Sequence, residues 1–325
     1  MPDPVVTVVV PVRDAAADLA GLLGALGRQV GAPAFEVVVA DDGSRDDVAA
    51  VVRVAPIPVT LVRLPVAEGP AAARNAALAV ATGEFVAFTD ADCAPVAGWL
   101  AALVAPLRGG RAVVQGPIRV PPGADVGPFD RTVQRPIPSG LHETANLAAR
   151  RSDVVAVGGF SAGPRPQGGK EMGEDVAFGW DLVRAGAPLI WAPDAVVEHP
   201  VTPRGWRGAA RERARAGAFC RIVARCPEVR STVLKRGVFL GAHRPGCDLA
   251  AAGLVLLALG RITGSRRASR LGAAALAPYA VGLERRSRGL GRRAQPAFAA
   301  GLLAGDAVET ASLAAGCLRT GTIVL

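Results

Sequence analysis

From residue 5 the chain alternates short apolar runs with segments of helical period. VVTVVVPV (5–12), FEVVVADDGS (35–44), VTLVRL (59–64), EFVAFTDAD (84–92) and RAVVQGPIRV (111–120) read as strands bounded by turn residues. Between them, DLAGLLGALGRQ (18–29), DDVAAVVRV (46–54), GPAAARNAALAVATG (69–83) and GWLAALVAPL (98–107) read as helices. This β-α-β-α order predicts a mostly parallel sheet with helices on its faces. In such sheets ligands bind at the carboxyl ends of the strands.

Polar residues gather at those ends. Asp14 follows the first strand, Asp41 and Asp42 the second, and Asp90 and Asp92 the fourth. Carboxylates placed together repel, and burying them unpaired is costly, so a cation or a basic partner is expected beside them. The plainer reading is capping: Asp14 and Ser44 suit helix N-caps, and Asp92 suits the start of a helix from near Pro95 with Trp99, Leu100, Leu103 and Val104 on its apolar face. No G-x-G-x-x-G follows the first strand and no Walker-type glycine loop occurs, which disfavours a dinucleotide-dependent oxidoreductase and a P-loop enzyme.

Residues 120–170 are rich in Pro and Gly and lack a clear period. Within them HETANLAARRSDVVAVGGF (142–160) reads as a strand, a short helix and a tight turn at Gly158 and Gly159. SAGPRPQGGKEMG (161–173) reads as a mobile loop able to close over a site. EDVAFGWDLVRAG (174–186) has Val176, Trp180 and Val183 at helical spacing, with Gly186 at the C-terminal cap and Glu174 and Asp175 at the start. The helix macrodipole alone favours two acids at that place.

Charge divides the chain. Its 37 basic and 28 acidic residues give +9, yet residues 204–293 carry 20 Arg and Lys against 4 acids. An anionic partner is expected for that region, and scarce aromatics argue for a membrane surface over nucleic acid. Segment 206–225 reads as one basic helix. Three apolar segments follow at 249–260, 271–283 and 297–318. The first two are shorter than the roughly 20 residues needed to span a bilayer. The third is interrupted by Asp306 and Glu309. Hairpin-like or interfacial helices on the inner leaflet are expected, the alternatives being burial against the core or in a homodimer, or one or two true spans. Five cysteines at no zinc-type spacing suggest reduced thiols, and the N-terminus lacks the basic stretch and long apolar run of a signal peptide.

VVVPVRD (8–14), VVVADDGSRD (37–46), GPAAARNAAL (69–78), FTDAD (88–92), NLAARR through VGGF (146–160) and GEDVAFGWDLVRAG (173–186) together resemble family 2 glycosyltransferases, inverting enzymes of the GT-A fold. The resemblance implies an α/β nucleotide-binding domain at 1–203, with a nucleotide-sugar half (1–116) and an acceptor half (117–203), followed by a helical, membrane-associated region at 204–325. It implies a nucleotide-diphosphate-sugar donor, Mn2+ or Mg2+, and transfer of one sugar to an acceptor. Asp92 is then the direct metal ligand, with His199 near the metal or diphosphate and Asp90 nearer the ribose or a metal-bound water. Asp42 meets the nucleobase, Pro11 and Arg13 frame base and ribose with Asp14 beside them, and Gly69, Arg74 and Asn75 sit at the helix beside the phosphates. Asp175 is the base that deprotonates the acceptor, and Glu174 assists it. The family commonly has Asn where this chain has Arg13-Asp14, and PRGWRGAARERARAG lacks the Q-x-x-R-W of processive synthases, so a single addition is expected.

The leading expectation is a transferase at the cytoplasmic face of the plasma membrane acting on a lipid-linked or cell-envelope acceptor. The rivals are a soluble transferase of a small metabolite or natural product, a catalytically silent scaffold of the same fold, and a nucleotidyltransferase. His142 and His243 match nothing in the resemblance and are expected to be core or surface residues.

Overall fold

The computed structural model describes residues 4–163, 172–287 and 295–325. They fall into two compact units, one of residues 1–125 and 132–202, the other of 126–131 and 203–325. Most of the loop expected over residues 161–173 lies outside the described residues, as does part of the last arginine-rich stretch, 284–293.

In the first unit, strands β1 (Val6–Val12), β2 (Phe35–Asp41), β3 (Val59–Arg63) and β4 (Phe85–Phe88) alternate with helices α1 (Ala16–Gly27), α2 (Val48–Arg53) and α3 (Pro70–Val80). There follow β5 (Ala94–Pro95), α4 (Trp99–Val104), β6 (Val113–Gln115), β7 (Ile118–Arg119), β8 (Leu147–Arg150), α5 (Arg151–Ala156), α6 (Glu174–Arg184), β9 (Leu189–Trp191) and β10 (Val197–Glu198). Seven strands form a sheet in the order β3-β2-β1-β4-β8-β6-β9. Only β8 runs against its neighbours β4 and β6. The sheet is mostly parallel, as the alternating pattern implies.

Side chains of a strand point alternately to its two faces, so a sheet covered on both sides needs apolar residues at consecutive positions. Val6, Val8, Val10 and Val12 of β1 enter one core with Leu19, Leu22 and Leu26 of α1 and Trp99 and Leu103 of α4. Val9 faces the other, with Val38, Val86, Phe88, Ala73 and Ala77 of α3, and Phe178 and Leu182 of α6. Phe88, Phe160 and Phe178 pack ring against ring there, with centroids 4.0–5.6 Å apart.

Pro11 lies in the middle strand of a parallel set, where a missing N–H normally costs a ladder bond. Its neighbours explain the tolerance. Val9 C=O accepts from Thr89 N–H on the β4 side, whereas Val12 C=O accepts from Asp42 N–H on the β2 side. By alternation the Pro11 nitrogen faces β4, whose pairing with β1 has ended at Val9 and Phe88. The two strands part at that point. The chain order also reverses there, from β2 and β3 on one side of β1 to β4 on the other, and a crevice opens at the carboxyl ends of such strands.

No helix begins near Pro95. Ala94 and Pro95 form β5 instead, pairing antiparallel with Glu198 and Val197 in a second, three-stranded sheet of order β5-β10-β7. Helix α4 starts only at Trp99, with no side-chain cap. Asp14 and Ser44 are not N-caps either: α1 is preceded by Ala15 without a side-chain cap, and α2 is capped by Asp47, which accepts from Ala50 N–H at 2.9 Å. Gly186, at φ 92°, ends α6 as expected.

The second unit holds α7 (Trp206–Arg213), α8 (Ala218–Arg225), α9 (Val229–Thr232), α10 (Arg244–Thr263), α11 (Arg266–Ser287) and α12 (Gln295–Thr320). The single basic helix expected at 206–225 is two helices. Ser312 of α12 occupies the break, accepting from Gly217 N–H at 2.9 Å and donating to Ala214 C=O at 2.6 Å. A Cβ on Gly217 would collide with the Ser312 carbonyl, so glycine is required for this close approach. The apolar segments lie inside longer helices. At 20 and 26 residues, α10 and α12 are long and apolar enough to cross a membrane, which corrects the expectation that the first segment is too short.

Candidate active site

The loops after β1 and β2 are locked to each other by their own acids. Asp14 adopts φ 52°, a left-handed conformation that Asn and Asp tolerate better than other non-glycine residues. That requirement accounts for Asp here where the resembling family has Asn. Asp14 N–H donates to Ser44 Oγ at 3.1 Å, and Asp14 Oδ1 accepts from Arg45 N–H at 2.8 Å. Buried Asp41 accepts from Ser44 N–H at 2.8 Å and pairs with Arg63 at 3.4 Å. Arg13 is about half exposed beside Asp14.

Asp42, also buried, receives the backbone of the loop before α3: Glu68 N–H at 2.6 Å and Gly69 N–H at 3.0 and 3.1 Å. Gly69, at φ 102°, turns the chain there and Pro70 opens the helix. Charge-assisted bonds of this kind are among the stronger hydrogen bonds, so Asp42 fixes the start of α3.

One turn into α3, Arg74 is buried and bridges two carboxylates. One terminal nitrogen donates to Asp90 Oδ1 and the other to Glu174 Oε1, each at 3.1 Å. The guanidinium also lies 5.4 Å from the Phe160 ring centroid. Arg74 thus ties the loop after β4 to the first turn of α6. Asn75 is engaged by the backbone of the turn after α5. Its Nδ2 donates to Phe160 C=O at 2.8 Å and its Oδ1 accepts from Phe160 N–H at 2.9 Å, clamping the Gly158–Gly159 turn. Two hydrogen bonds at about 1 kcal/mol each set the expected cost of Asn75→Ala near 2 kcal/mol, read by urea unfolding, with nucleotide binding unchanged.

Asp92 faces His199. Continuing the β5–β10 register beyond Glu198 and Ala94 carries His199 alongside the loop that holds Asp92, and His199 Nε2 stands 3.6 Å from Asp92 Oδ2. His199 is buried, its N–H donates to Arg119 C=O, and its Nδ1 lies 3.0 Å from Pro200 C=O. A carbonyl can only accept, so Nδ1 carries a proton in that bond, which leaves Nε2 facing the carboxylate. An imidazole nitrogen and a carboxylate oxygen facing each other at this separation leave a place for a shared cation or proton. Burial pushes the Asp92 carboxyl up; the His199 charge opposes this and the Asp90 charge adds to it. An imidazole nitrogen and a carboxylate oxygen, with Asp90 nearby, suit a divalent cation such as Mn2+ or Mg2+. Asp14, Asp41, Asp42 and Asp90 are held by backbone N–H groups or arginines, whereas Asp92 meets the Cys93 thiol at 3.9 Å and His199 Nε2 at 3.6 Å.

Asp175 sits beside Glu174 in the first turn of α6, half-buried, and its Oδ1 accepts from Val176 N–H at 2.8 Å. Burial raises its pKa well above the ordinary carboxylate value, and the charges of Glu174 and Glu143 raise it further against the opposing pull of Arg74 and the Val176 N–H. Such a carboxylate is a stronger base than a solvated one.

Glu143 was not singled out in the sequence. It is held by Arg135 and by Gln115 Nε2 at 2.9 Å, within the stretch whose period is weakest. Next to it His142, at φ 52°, is buried with both ring nitrogens unpartnered and stacks edge-on against Trp180 of α6. Burial lowers its pKa to about 4, against the Glu143 charge, so the ring is a neutral packing element. Gly179 makes room for it, since a Cβ there would overlap the imidazole.

Comparison with known proteins agrees with this architecture. Residues 7–166 match the family model described as Glycosyl transferase family 2. The pre-mycofactocin glycosyltransferase of Mycobacterium tuberculosis is 33% identical over 247 residues, 69% of this chain and 48% of that protein. This chain therefore spans about half the length of that relative. Glycosyltransferase AglE of Haloferax volcanii is 27% identical over 215 residues, 62% of this chain and 69% of AglE. Among solved structures, the mannosyltransferase PcManGT from Pyrobaculum calidifontis, in complex with GDP-Man and Mn2+, shares the fold at TM-score 0.54 and 21% identity, covering 98% of this chain and 87% of that one. The parallel sheet with its acidic strand ends and the match over residues 7–166 have one explanation: the chain belongs to glycosyl transferase family 2 and has the GT-A fold.

Proposed function

We propose that this protein is a metal-dependent, inverting glycosyltransferase that moves one sugar from a nucleotide-diphosphate-sugar to an acceptor hydroxyl. The observation that carries this reading is the facing of Asp92 and His199 at 3.6 Å beside the crevice between β1 and β4. When a divalent cation is bound by Asp92 and His199, it neutralises the departing diphosphate without a proton transfer. Pro11 and Arg13 border the base and ribose, Asp42 holds the Gly69 loop against them, and Asp90, oriented by Arg74, lies toward the ribose. Asp175 takes the acceptor hydroxyl proton as the new glycosidic bond forms on the face opposite the leaving group. Glu174 and Glu143 keep that base strong, while Glu174 is itself held by Arg74.

The acceptor is read from the second unit. Its arginines and the apolar surfaces of α10 and α12 favour a lipid-linked or cell-envelope glycan at the cytoplasmic face of the plasma membrane. A second reading, a natural product or small metabolite with the helices in a homodimer interface, is favoured by the pre-mycofactocin glycosyltransferase among the relatives. The deciding experiment is calorimetric titration of UDP, GDP and dTDP with and without manganese, which is expected to show one nucleotide binding only with the metal. No binding of any nucleotide to folded protein would overturn the reading. Co-sedimentation with anionic vesicles separates the two acceptor classes, being expected for the first and absent for the second.

A further inference from the structure

The second unit buries polar side chains that the transfer reaction does not use. His243, immediately before α10, and Cys247 in its first turn are four residues apart and share one helical face. Asp306 and Glu309 lie three apart on α12, 2% and 8% exposed. One donor atom each from His243, Cys247 and Asp306 lies within 4.8 Å of the others. His243 Nε2 is 3.6 Å from Glu309 Oε2 and 3.9 Å from Asp306 Oδ1, yet it is buried and has no hydrogen-bond partner.

Ion pairing accounts for part of this cluster. Asp306 accepts from Arg213, from Arg286 at 2.6 Å and from Tyr279 Oη at 2.9 Å, and Arg244 pairs with Asp248. Three arginines, at 213, 244 and 286, thereby offset three carboxylates, at 248, 306 and 309. The pairing leaves a buried imidazole nitrogen turned toward two acceptor-only oxygens, with a thiol beside them. Four donors on two helices, one nitrogen, one sulfur and two oxygens, match the four-coordinate set of a structural zinc site. With bonds of about 2.1 Å, neighbouring ligands in a tetrahedron stand about 3.4 Å apart; His243 Nε2 is 3.6 and 3.9 Å from the two carboxylates and the His243, Cys247 and Asp306 donors lie within 4.8 Å, so the ligands draw together around the ion. A thiolate ligand disfavours magnesium, calcium and manganese, and so distinguishes this set from the Asp92 site.

We propose that His243, Cys247, Asp306 and Glu309 form a zinc site that fastens the start of α10 to the middle of α12. Coordination replaces the Cys247 thiol proton, which leaves to solvent, and the thiolate charge offsets part of the charge that the ion brings into a balanced cluster. Arg213 and Arg286 remain on Asp306 and orient it, as outer-shell partners of metal-bound carboxylates do.

The test uses the full chain carrying Asp92→Asn, which silences the other metal site, titrated with cobalt(II) as a coloured stand-in for zinc. The expected result is one equivalent bound, with intense tetrahedral ligand-field bands and a thiolate-to-cobalt charge-transfer band, all displaced by zinc. Cys247→Ser removes the charge-transfer band, whereas Cys93→Ser and Cys220→Ser retain it. His243→Ala, at a partly exposed position less critical to folding, lowers zinc affinity by about 100-fold or more, since even outer-shell changes cost about 10- to 100-fold. Absence of a charge-transfer band in the parent protein would falsify the site, and a band that disappears with Cys93→Ser or Cys220→Ser but persists in Cys247→Ser would do the same. Zinc affinity unchanged in a folded His243→Ala protein overturns it as well.

Discussion

Asp175→Asn is expected to lower sugar transfer by about 10³- to 10⁴-fold, at the upper end of what a positioned general base contributes, while nucleotide binding with manganese stays near that of the parent. The amide fills the same space and can still accept from Val176 N–H, so the first turn of α6 keeps its form. What it loses is the capacity to take a proton. The pH profile supplies a second signature. A base works only when deprotonated, so activity in the parent rises with pH and falls as pH drops through the raised pKa of Asp175. The acid limb of kcat/KM is therefore expected above the ordinary carboxylate range, near pH 4, and absent from the residual activity of the variant. Near-normal turnover by Asp175→Asn removes this residue from the role of base.

Asp92→Asn is expected to abolish the manganese-dependent part of nucleotide binding and to reduce transfer by about 10³-fold, the several kcal/mol that a bound cation supplies to a developing anion. Calorimetry with and without manganese reads the first effect, and a transfer assay reads the second. The substitution keeps the size of the side chain and removes its charge beside His199. Thermal stability is thus expected to hold while metal dependence is lost, which separates a ligand from a residue needed for folding. Retained manganese dependence in this variant shifts the cation to another set of acids.

The parallel strands were legible because burial on both faces leaves continuous apolar runs, as in Val6–Val12, and a local pattern suffices to see them. The antiparallel run of β8 was not, because Leu147–Arg150 carries no mark of its direction. Nor were β5 and β10, two residues each, too short for any period. Asp90 and Asp92 announced themselves by ending an apolar strand, but their partners were hidden by distance along the chain. Arg74 meets Glu174 across 100 residues. His199 entered through the family resemblance, since a lone histidine after a short strand has no spacing signature. Asn75, placed by the resemblance beside the phosphates, also holds the Phe160 backbone, a contact that no local pattern announces. The basic helix at 206–225 was misread because the break at Gly217 is imposed by Ser312, 95 residues later.

The bridge made by Arg74 bears on how members of such a family can exchange acceptors. Its two carboxylate partners belong to opposite halves of the proposed reaction, Asp90 to the loop after β4 and Glu174 to the helix of the proposed base. A graft of the α6 region from a relative therefore cannot travel alone. Unless position 74 and its two acids move as a set, the recipient is left with a buried charge lacking its counterpart, a defect worth about 3 to 5 kcal/mol. A chimera of this chain that exchanges Glu174 for an uncharged residue is thus expected to lose stability unless position 74 changes with it.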